Sequence, residues 1–240
     1  MENATYVALS RQMASQRQLD IIANNLANVN TAGFKAERSL FNEQLMRAGA
    51  RERMSFVYDS GTVRDMRPGG QQSTGNNLDV AIDGPGYFTV ATDAGTRYTR
   101  NGHLRLDADG QIVTNDGHAL LDDRGRPLKV DNAGDGPPLI GPDGSLTTPG
   151  GETIGRINVV DFARPQALRH DAAGLFQTNE IPTPSTGKLR QGMVENSNVN
   201  PIVEVSAMIE LQRSYQATQR MIDSDHERQR KAIERLTRSV

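Results

Sequence analysis

The middle of the chain alternates apolar and polar or small residues with a period of two. Leu78, Val80 and Ile82 stand at every second position, the spacing of a strand with one covered face. Further short apolar runs follow, and turn-forming residues separate most of them; the runs are residues 87–90, 97–99, 104–106, 112–114, 120–121, 128–130 and 157–162. The pattern predicts a series of short strands.

Dipeptides that close tight turns lie between or beside these runs. They tolerate a positive φ angle and favour hairpins, and they are Asn101-Gly102, Asp109-Gly110, Asp116-Gly117 and Asp143-Gly144. Of the 23 glycines, 20 lie between Gly61 and Gly187, as do 10 of the 11 prolines. We therefore expect an antiparallel, hairpin-rich β domain in the middle and helices at both ends, where glycine and proline are scarce.

The N-terminal region predicts a helix from about Asn3 to Val29. One line of positions advances in steps of four and three, the heptad spacing of paired helices: Ala8, Gln12, Ser15, Leu19, Ile22, Leu26 and Val29. Other apolar residues lie off this line, on other faces of the same helix: Val7, Leu9, Met13 and Ile21. The helix is expected to stop near Gly33, because glycine suits the left-handed position that follows a helix.

The C-terminal region has the same design. Asn200 suits the N-cap, Pro201 suits the first helical position and Glu204 suits the positive end of the helix dipole. A heptad line follows through Met208, Leu211, Tyr215, Thr218 and Ile222. A second apolar face is formed by Ile202, Val205 and Ile209, and the stretch from Asp223 to Arg238 is densely charged and expected to be exposed or frayed.

Each predicted terminal helix is thus apolar on more than one side. If the two helices packed only against each other, their second faces would stay in water, and contiguous exposed apolar surface usually marks an interaction site. The pattern favours self-association into a bundle or filament. The alternative is a helical hairpin resting on the β domain with a few aliphatic side chains left exposed, which is common on protein surfaces.

Composition excludes several classes of protein. The 240 residues carry 27 basic and 29 acidic side chains, so no basic excess is available to bind a nucleic-acid backbone. The sequence predicts no membrane insertion, since no window approaches the ~20 apolar residues that a spanning helix needs. Cysteine is absent, which excludes thiol catalysis and Cys–metal sites. The first residues lack the basic and apolar regions of a signal peptide, so we expect a cytosolic protein or one exported without cleavage.

The search for catalytic or metal-binding chemistry finds only weak patterns. The histidines at 103, 118, 170 and 226 have no metal-ligand spacing. The Asp107–Gly110 turn lacks the glycine and glutamate positions of a calcium loop, and Gly84-Pro85-Gly86 precedes a strand rather than the helix a phosphate loop requires. We therefore predict no enzyme activity, no catalytic residue, no metal and no cofactor.

Three segments resemble the bacterial flagellar basal-body rod and hook proteins. Residues 24–35 (NNLANVNTAGFK) are similar to the N-terminal motif of this family, and residues 74–88 and 98–121 to its central signature. Residues 191–200 (QGMVENSNVN) and the helix that follows them resemble its C-terminal motif. The segments lie at both ends and in the middle, so the resemblance extends over nearly the whole chain. The opening residues and the length are most similar to the proximal rod type. The distal rod type is the close alternative.

The resemblance implies a structural subunit of the rod. Members assemble through their terminal helices into a hollow helical shaft that transmits motor torque and surrounds the export channel. The implied location is the periplasmic part of the basal body, reached through the flagellar export apparatus without a cleaved signal. The implied partners are copies of itself and other proximal and distal rod subunits. A rival class, a periplasmic cell-wall-binding β module, would need an aromatic-lined groove.

The predicted fold class is α+β, mainly β, with a hairpin-rich antiparallel domain and long terminal helices that pack in a coiled-coil-like layer. The predicted domains are an assembly helix (1–34), an extended connector (35–75), a β-rich outer domain (76–188) and a C-terminal assembly helix with a charged tail (189–240). The predicted assembly interface is Leu9, Met13, Leu19, Ile22, Leu26, Val29, Val205, Met208, Ile209, Leu211, Tyr215 and Ile222. The residues singled out within the family motifs are Asn24, Asn25, Asn28, Asn30, Gly33, Phe34, Asn198 and Asn200.

Overall fold

The protein is α+β in a computed structural model that describes residues 2–47, 53–130, 136–171 and 174–238. Two helices, α1 (Glu2–Ala27) and α2 (Pro201–Arg238), flank a region of short strands. Every strand pair among the described residues is antiparallel, which confirms the predicted class of sheet. The chain forms two compact units. The helical unit holds α1, α2 and a β-hairpin, and the β unit holds Asn28–Lys35 and Met66–Val199.

The strands follow one another closely along the chain. They are β1 (Glu37–Arg47), β2 (Arg53–Arg64), β3 (Gln71–Ser73), β4 (Val80–Asp83), β5 (Tyr87–Thr92), β6 (Gly95–Thr99), β7 (Leu104–Leu106), β8 (Ile112–Thr114), β9 (Ala119–Leu120), β10 (Leu139–Ile140), β11 (Ser145–Thr147), β12 (Thr153–Arg156), β13 (Val159–Asp161), β14 (Arg169–His170), β15 (Phe176–Gln177), β16 (Thr183–Pro184), β17 (Lys188–Gln191) and β18 (Met193–Glu195).

The largest sheet of the β unit has the order β14-β15-β6-β5-β9-β8-β7, and β13 pairs with both β5 and β16. The other pairings are β10-β11-β12, β17-β4 and β18-β3. One apolar cluster fills the unit and includes Val80, Phe88, Ile112, Leu120 and Leu146, all fully buried. A second cluster is built from rings, with Tyr98 and Phe162 edge to face at 4.8 Å between ring centres. Their burial explains why short strands suffice to hold this unit together.

The helical unit joins both ends of the chain to a long hairpin. Strands β1 and β2 pair from Glu37 opposite Arg64 to Arg47 opposite Arg53, with a register shift between Leu40 and Phe41. This hairpin occupies most of residues 35–75, the predicted connector, and β3 belongs to the β unit through its pairing with β18. The predicted domain boundaries remain a prediction.

The beginning of α2 agrees with its predicted cap. The Asn200 side-chain oxygen accepts hydrogen bonds from the backbone N–H groups of Ile202 (3.1 Å) and Val203 (3.4 Å), which would otherwise lack partners in the first turn. Pro201 occupies the first helical position, where no N–H is needed. The helix continues through the charged stretch to Arg238, so this stretch is helical rather than frayed over the described residues.

The end of α1 differs from the prediction. The helix ends at Ala27, two residues before Val29, and turns follow over residues 28–33. Gly33 has a φ angle of +71°, but it does not cap the helix. Its N–H donates to the Glu195 carbonyl oxygen at 2.7 Å, and a Cβ atom at this position would lie 2.6 Å from the carbonyl carbon of Arg100. Gly33 is therefore required by a close backbone approach inside the β unit.

Two predictions in the β region need correction. Residues 128–130 form no strand. The backbone of Leu128 makes hydrogen bonds with Ile112 and Leu120, and that of Val130 makes one with Gly110. The segment therefore contacts several neighbouring segments and does not pair along a single strand. Of the four predicted turn glycines, those at 110, 117 and 144 have positive φ angles and Gly102 does not. A Cβ atom at Gly102 would lie 1.7 Å from the Val80 carbonyl oxygen, so this glycine permits close backbone packing.

Replacement of Gly102 by alanine tests this assignment. Gly102→Ala forces its methyl group against the β4 backbone, and overpacking of this kind costs about 1–3 kcal/mol, occasionally more. We expect the free energy of unfolding of the full chain to fall by about 2 kcal/mol or more, measured by urea denaturation. The matched control is Gly70→Ala, because a Cβ atom at Gly70 meets nothing within 4 Å and its φ angle is ordinary. Equal effects of the two substitutions would contradict the assignment.

Candidate assembly interface

The two terminal helices pack antiparallel within the helical unit. The Gln12 side-chain amide donates to Gln219 at 2.7 Å, and the Asn25 amide lies 3.4 Å from the Glu204 carboxylate. The residue numbers in these two contacts add to 231 and 229, so the number of one partner rises as that of the other falls. The heptad line of α1 lies on its covered side, with Ala8, Ser15 and Ile22 buried and Gln12, Leu19 and Leu26 half-buried. Its last predicted member, Val29, lies after the end of the helix, in the β unit, and is half-buried.

The heptad line of α2 is covered to a lesser degree. Its members are all half-buried: Met208, Leu211, Tyr215, Thr218 and Ile222. Residues directly opposite this line on the helix are exposed, as expected for one face of a two-helix pair. Eight of the twelve predicted interface residues therefore lie partly or fully covered in the single subunit: Leu19, Ile22, Leu26, Val29, Met208, Leu211, Tyr215 and Ile222.

The other four predicted interface residues are exposed. Leu9 and Met13 form an apolar strip on α1, and Met13 is 67% exposed. Val205 and Ile209 form a strip on α2 together with Ile202, which is 77% exposed. The strips are continuous because positions three and four apart lie on one side of a helix. Each helix therefore carries one covered line and one uncovered apolar strip.

A second covered face of α1 explains the burial of Ile21, which lies outside the heptad line. Ile21 lies one turn before Asn25, whose side chain both donates to the Glu37 carbonyl oxygen and accepts from the Glu37 N–H, each at 2.9 Å. This reciprocal pair copies the pairing of two strand residues and fixes α1 to β1. Because Asn25 is almost completely buried, its side-chain amide needs hydrogen-bond partners, and Glu37 and Glu204 supply them. Asn25 is thus a positioning residue of the helical unit.

The remaining motif residues act inside the β unit or at helix ends. Asn28 accepts a hydrogen bond from Thr31 at 3.1 Å in the turns after α1. Phe34 is buried, and its carbonyl oxygen accepts from the Asn198 N–H at 3.3 Å. The Asn198 side chain donates to the Arg67 carbonyl oxygen at 2.9 Å. Asn24 and Asn30 are exposed.

The most heavily bonded group of this region is the Glu195 carboxylate, which the sequence reasoning did not select. The Glu195 side chain is only 2% exposed and lies at the end of β18. Its Oε1 atom accepts from Lys35 Nζ at 2.5 Å and from the Gly69 N–H at 3.0 Å. Its Oε2 atom accepts from Arg100 Nη2 at 2.6 Å and from Nε at 2.8 Å. We name Glu195, Lys35 and Arg100 the ionic node.

The two cations of the ionic node are themselves bonded to backbone carbonyls. Lys35 Nζ donates to Arg67 at 2.9 Å. The Arg100 guanidinium donates to Gly84 at 3.1 Å and Gly86 at 2.7 Å, on either side of the Gly84-Pro85-Gly86 turn. The node therefore joins four separate segments of the β unit, those around residues 33–35, 67–69, 84–100 and 195–198.

One signal in the sequence could have identified the ionic node. Each motif segment that resembles the family contains one of its members: Lys35 ends the first, Arg100 lies in the second and Glu195 in the third. Lys35 and Glu195 are the single charged residues of their segments, and such a residue is a candidate for a buried ion pair, since charges are buried only when paired. Arg100 shares its segment with other charged residues, so this signal does not single it out.

Loss of the carboxylate charge should destabilise the β unit. Glu195→Gln keeps the shape of the side chain but leaves two buried cations without their counter-charge, and breaking a buried pair in this way costs about 3–5 kcal/mol. We expect a loss of that size in urea denaturation of the full chain. The control is Glu152→Gln, an exposed position of the same unit, where a change within about 0.5 kcal/mol is expected. Similar losses for both variants would refute the assignment.

The ionic node also predicts a pH dependence. Burial alone raises the pKa of Glu195, but Arg100 and Lys35 outweigh this effect and hold the pKa below its ordinary value of 4.5. A depressed pKa in the folded state means that the charged carboxylate stabilises the fold above pH 4.5 and that this contribution is lost as the pH falls through the folded pKa. The difference in unfolding free energy between wild type and Glu195→Gln should therefore shrink on acidification; a constant difference from pH 7 to pH 3 would contradict it.

Comparison with known families finds three consecutive matches along the chain. Residues 6–35 match the family described as "Flagella basal body rod protein", and residues 81–159 match "Flagellar hook protein FlgE/F/G D1 domain". Residues 190–235 match "Flagellar basal body rod FlgEFG protein C-terminal". The first and third matches include most of α1 and α2, and the second lies within the β unit.

Curated relatives are similar over almost their full length. The flagellar basal-body rod protein FlgF of Caulobacter vibrioides is 40% identical over 243 residues, which cover 98% of each chain. FlgF of Mesorhizobium japonicum is 36% identical over 91% of each chain. The rod protein FlgG of Bacillus subtilis is 34% identical over 95% of this chain and 96% of its own.

Proposed function

The chain belongs to the flagellar basal-body rod protein family, of the FlgF type, and is a structural subunit of the rod; from this premise we propose how it is built into the rod. Its terminal helices form a coiled-coil-like inner layer around the export channel, and its β unit faces outward. The subunit belongs to the proximal rod and transmits motor torque. The FlgF relatives of Caulobacter vibrioides and Mesorhizobium japonicum, at 40% and 36% identity, support the proximal assignment.

The observation that carries this proposal is the two-sided character of the helices. The covered line of each helix is used inside the subunit, whereas the strips at Leu9 and Met13 and at Val205 and Ile209 are exposed. Burying apolar surface contributes about 25 cal/mol per Å², so a few hundred Å² of strip supply several kcal/mol for association. A subunit that ended its packing with the helix pair would gain nothing from these side chains.

The arrangement also suits a filament. The exposed strips lie on two helices of different sequence, so a contact between a strip on one copy and another surface on the next copy is heterologous. A heterologous contact that does not close into a ring repeats along a helical path. We propose neighbouring copies and other rod subunits as the partners of this surface.

Location and export follow as part of the same proposal. Rod subunits are parts of the basal body, and we place this chain in the periplasmic section. Delivery through the flagellar export apparatus without cleavage is the corresponding route. No helix among the described residues is both long and apolar enough to cross a membrane.

The rival reading, a module that binds cell-wall carbohydrate, needs aromatic faces open to solvent. A cavity of about 400 Å³ in the β unit is lined in part by Tyr87 and Phe162. Both rings are less than 5% exposed and pack against each other at 5.9 Å between centres, so they offer little free face for stacking on a sugar. This observation favours the structural function.

Charge placed in the exposed strips should block assembly without unfolding the subunit. Met13→Asp and Ile209→Asp put a carboxylate into a surface that becomes buried on association, and each should reduce rod assembly at least tenfold, since an unpaired interface charge costs several kcal/mol. The measurements are swimming of a complemented deletion strain and counts of purified basal bodies.

The control for both variants is Ser224→Asp, which adds the same charge at an exposed position of α2 outside the strips. We expect normal rods for the control and an unchanged unfolding curve for all three purified chains. Normal rods with Met13→Asp and Ile209→Asp would show that the strips are not part of the assembly interface.

A further inference from the structure

Strand β16 lies at a free edge of the β unit. Among the described strands it pairs with β13 alone, so one side of its backbone faces away from the sheet. Residues 181–184 are exposed, and the side chain of Ile181 is 87% exposed. A free strand edge beside an exposed aliphatic side chain is a template for pairing with another chain. We name residues 181–185 the edge segment.

The hydrogen bonds between β16 and β13 show which backbone groups of the edge segment face outward. The Ser185 N–H donates to the Val159 carbonyl oxygen at 3.1 Å. In an antiparallel pair, residues that bond to the partner strand alternate with residues whose N–H and C=O groups point away from it. In the observed register, positions 183 and 185 therefore bond to β13, and positions 182 and 184 point outward.

Proline occupies both outward positions. Pro182 and Pro184 have no N–H group, so the edge segment offers carbonyl oxygens on its outer side but no backbone donor. Two copies of this edge placed side by side would bring acceptors against acceptors, and no ladder of hydrogen bonds would form between them. The two prolines thus remove the groups through which a second strand would be added.

The other two edges of the large sheet are β14 and β7, and both carry charge. Strand β14 consists of Arg169 and His170, which are exposed, and the central residue of β7 is Arg105, also exposed. Charged side chains on an edge strand oppose pairing with a copy of the same edge, because they bring like charges together. The edge segment itself has no charged residue. Its protection against strand addition therefore depends on proline.

We propose that Pro182 and Pro184 prevent the β16 edge from pairing with the same edge of a second copy. This inference rests on the proposed function and adds a specificity determinant to it. With strand addition blocked, association between copies is left to the exposed strips on α1 and α2. Backbone pairing depends little on side chains, so an open edge would let subunits join in arrangements that a rod does not use.

Replacement of both prolines by valine should open the edge. Pro182→Val/Pro184→Val supplies two outward N–H donors in a residue type that favours strands. When two such edges pair antiparallel, position 182 of each copy exchanges hydrogen bonds with position 184 of the other. The two copies of Thr183 then lie directly opposite each other as a non-hydrogen-bonded pair, with their Cα atoms about 4.5 Å apart.

Disulfide formation at position 183 measures this contact, because the chain has no native cysteine. Thr183→Cys is introduced into the full-length chain with its native prolines and into Pro182→Val/Pro184→Val, and both chains are oxidised at equal concentration. A disulfide requires Cα atoms within about 7 Å. We expect the linked dimer to be at least tenfold more abundant in the valine chain.

The matched control is Thr183→Cys combined with Pro149→Val, which replaces an exposed proline in the turn between β11 and β12. We expect no increase in the linked dimer for this control. Equal dimer yields in all three chains would overturn the proposal. Pro182→Val and Pro184→Val alone each restore one donor and should give intermediate yields, and they decide the question if the double variant lacks a cooperative unfolding transition in urea.

Loss of the strips separates this inference from the proposed function. Met13→Asp and Ile209→Asp, added to the valine chain, should leave the yield of the linked dimer unchanged, because the edge contact does not involve the helices. Loss of the dimer in that chain would overturn the edge pairing. Failure of the valine chain to associate would refute the blocking role but leave the rod assignment intact, whereas normal rods in a strain lacking the whole chain would refute the proposed function.

Discussion

The buried carboxylate of Glu195 is the interaction on which the β unit depends. It receives four donors from Lys35, Gly69 and Arg100, and these residues belong to segments that are remote in the sequence. Glu195 lies four residues before Val199, the last residue of the β unit, and Lys35 is the last residue of its N-terminal segment. The chain therefore leaves this unit both times beside one ion-pair cluster. Such a cluster tolerates little displacement, because a buried charge that loses its partner is strongly destabilising.

The helical unit is held by weaker and more general contacts. Its covered lines are half-buried along α2, and its polar contacts between helices are single hydrogen bonds such as that between Gln12 and Gln219. Apolar packing is not directional, so the same helix can accept a neighbour on a second side without altering the first. The contrast suits a subunit whose β unit must be complete alone and whose helices must also serve an assembly.

The sequence predicted the features that depend on local pattern. The heptad spacing placed the covered line of both helices, the N-cap at Asn200 was correct, and β7 and β8 coincide with the predicted runs. It did not predict the β1–β2 hairpin, because Leu40-Phe41 and Leu45-Met46 are adjacent apolar pairs rather than alternating positions. Nor did it predict the ionic node or the roles of Gly33 and Gly102, since these depend on which distant segments meet, and no local pattern encodes that.

The two faces of each terminal helix serve two different packing needs. The covered lines of α1 and α2 are used within the subunit, where the helices pack antiparallel. The strips at Leu9 and Met13 and at Val205 and Ile209 stay exposed in the single subunit. Burial of apolar surface is favourable wherever a matching surface is offered, so these strips gain free energy only when a second molecule covers them.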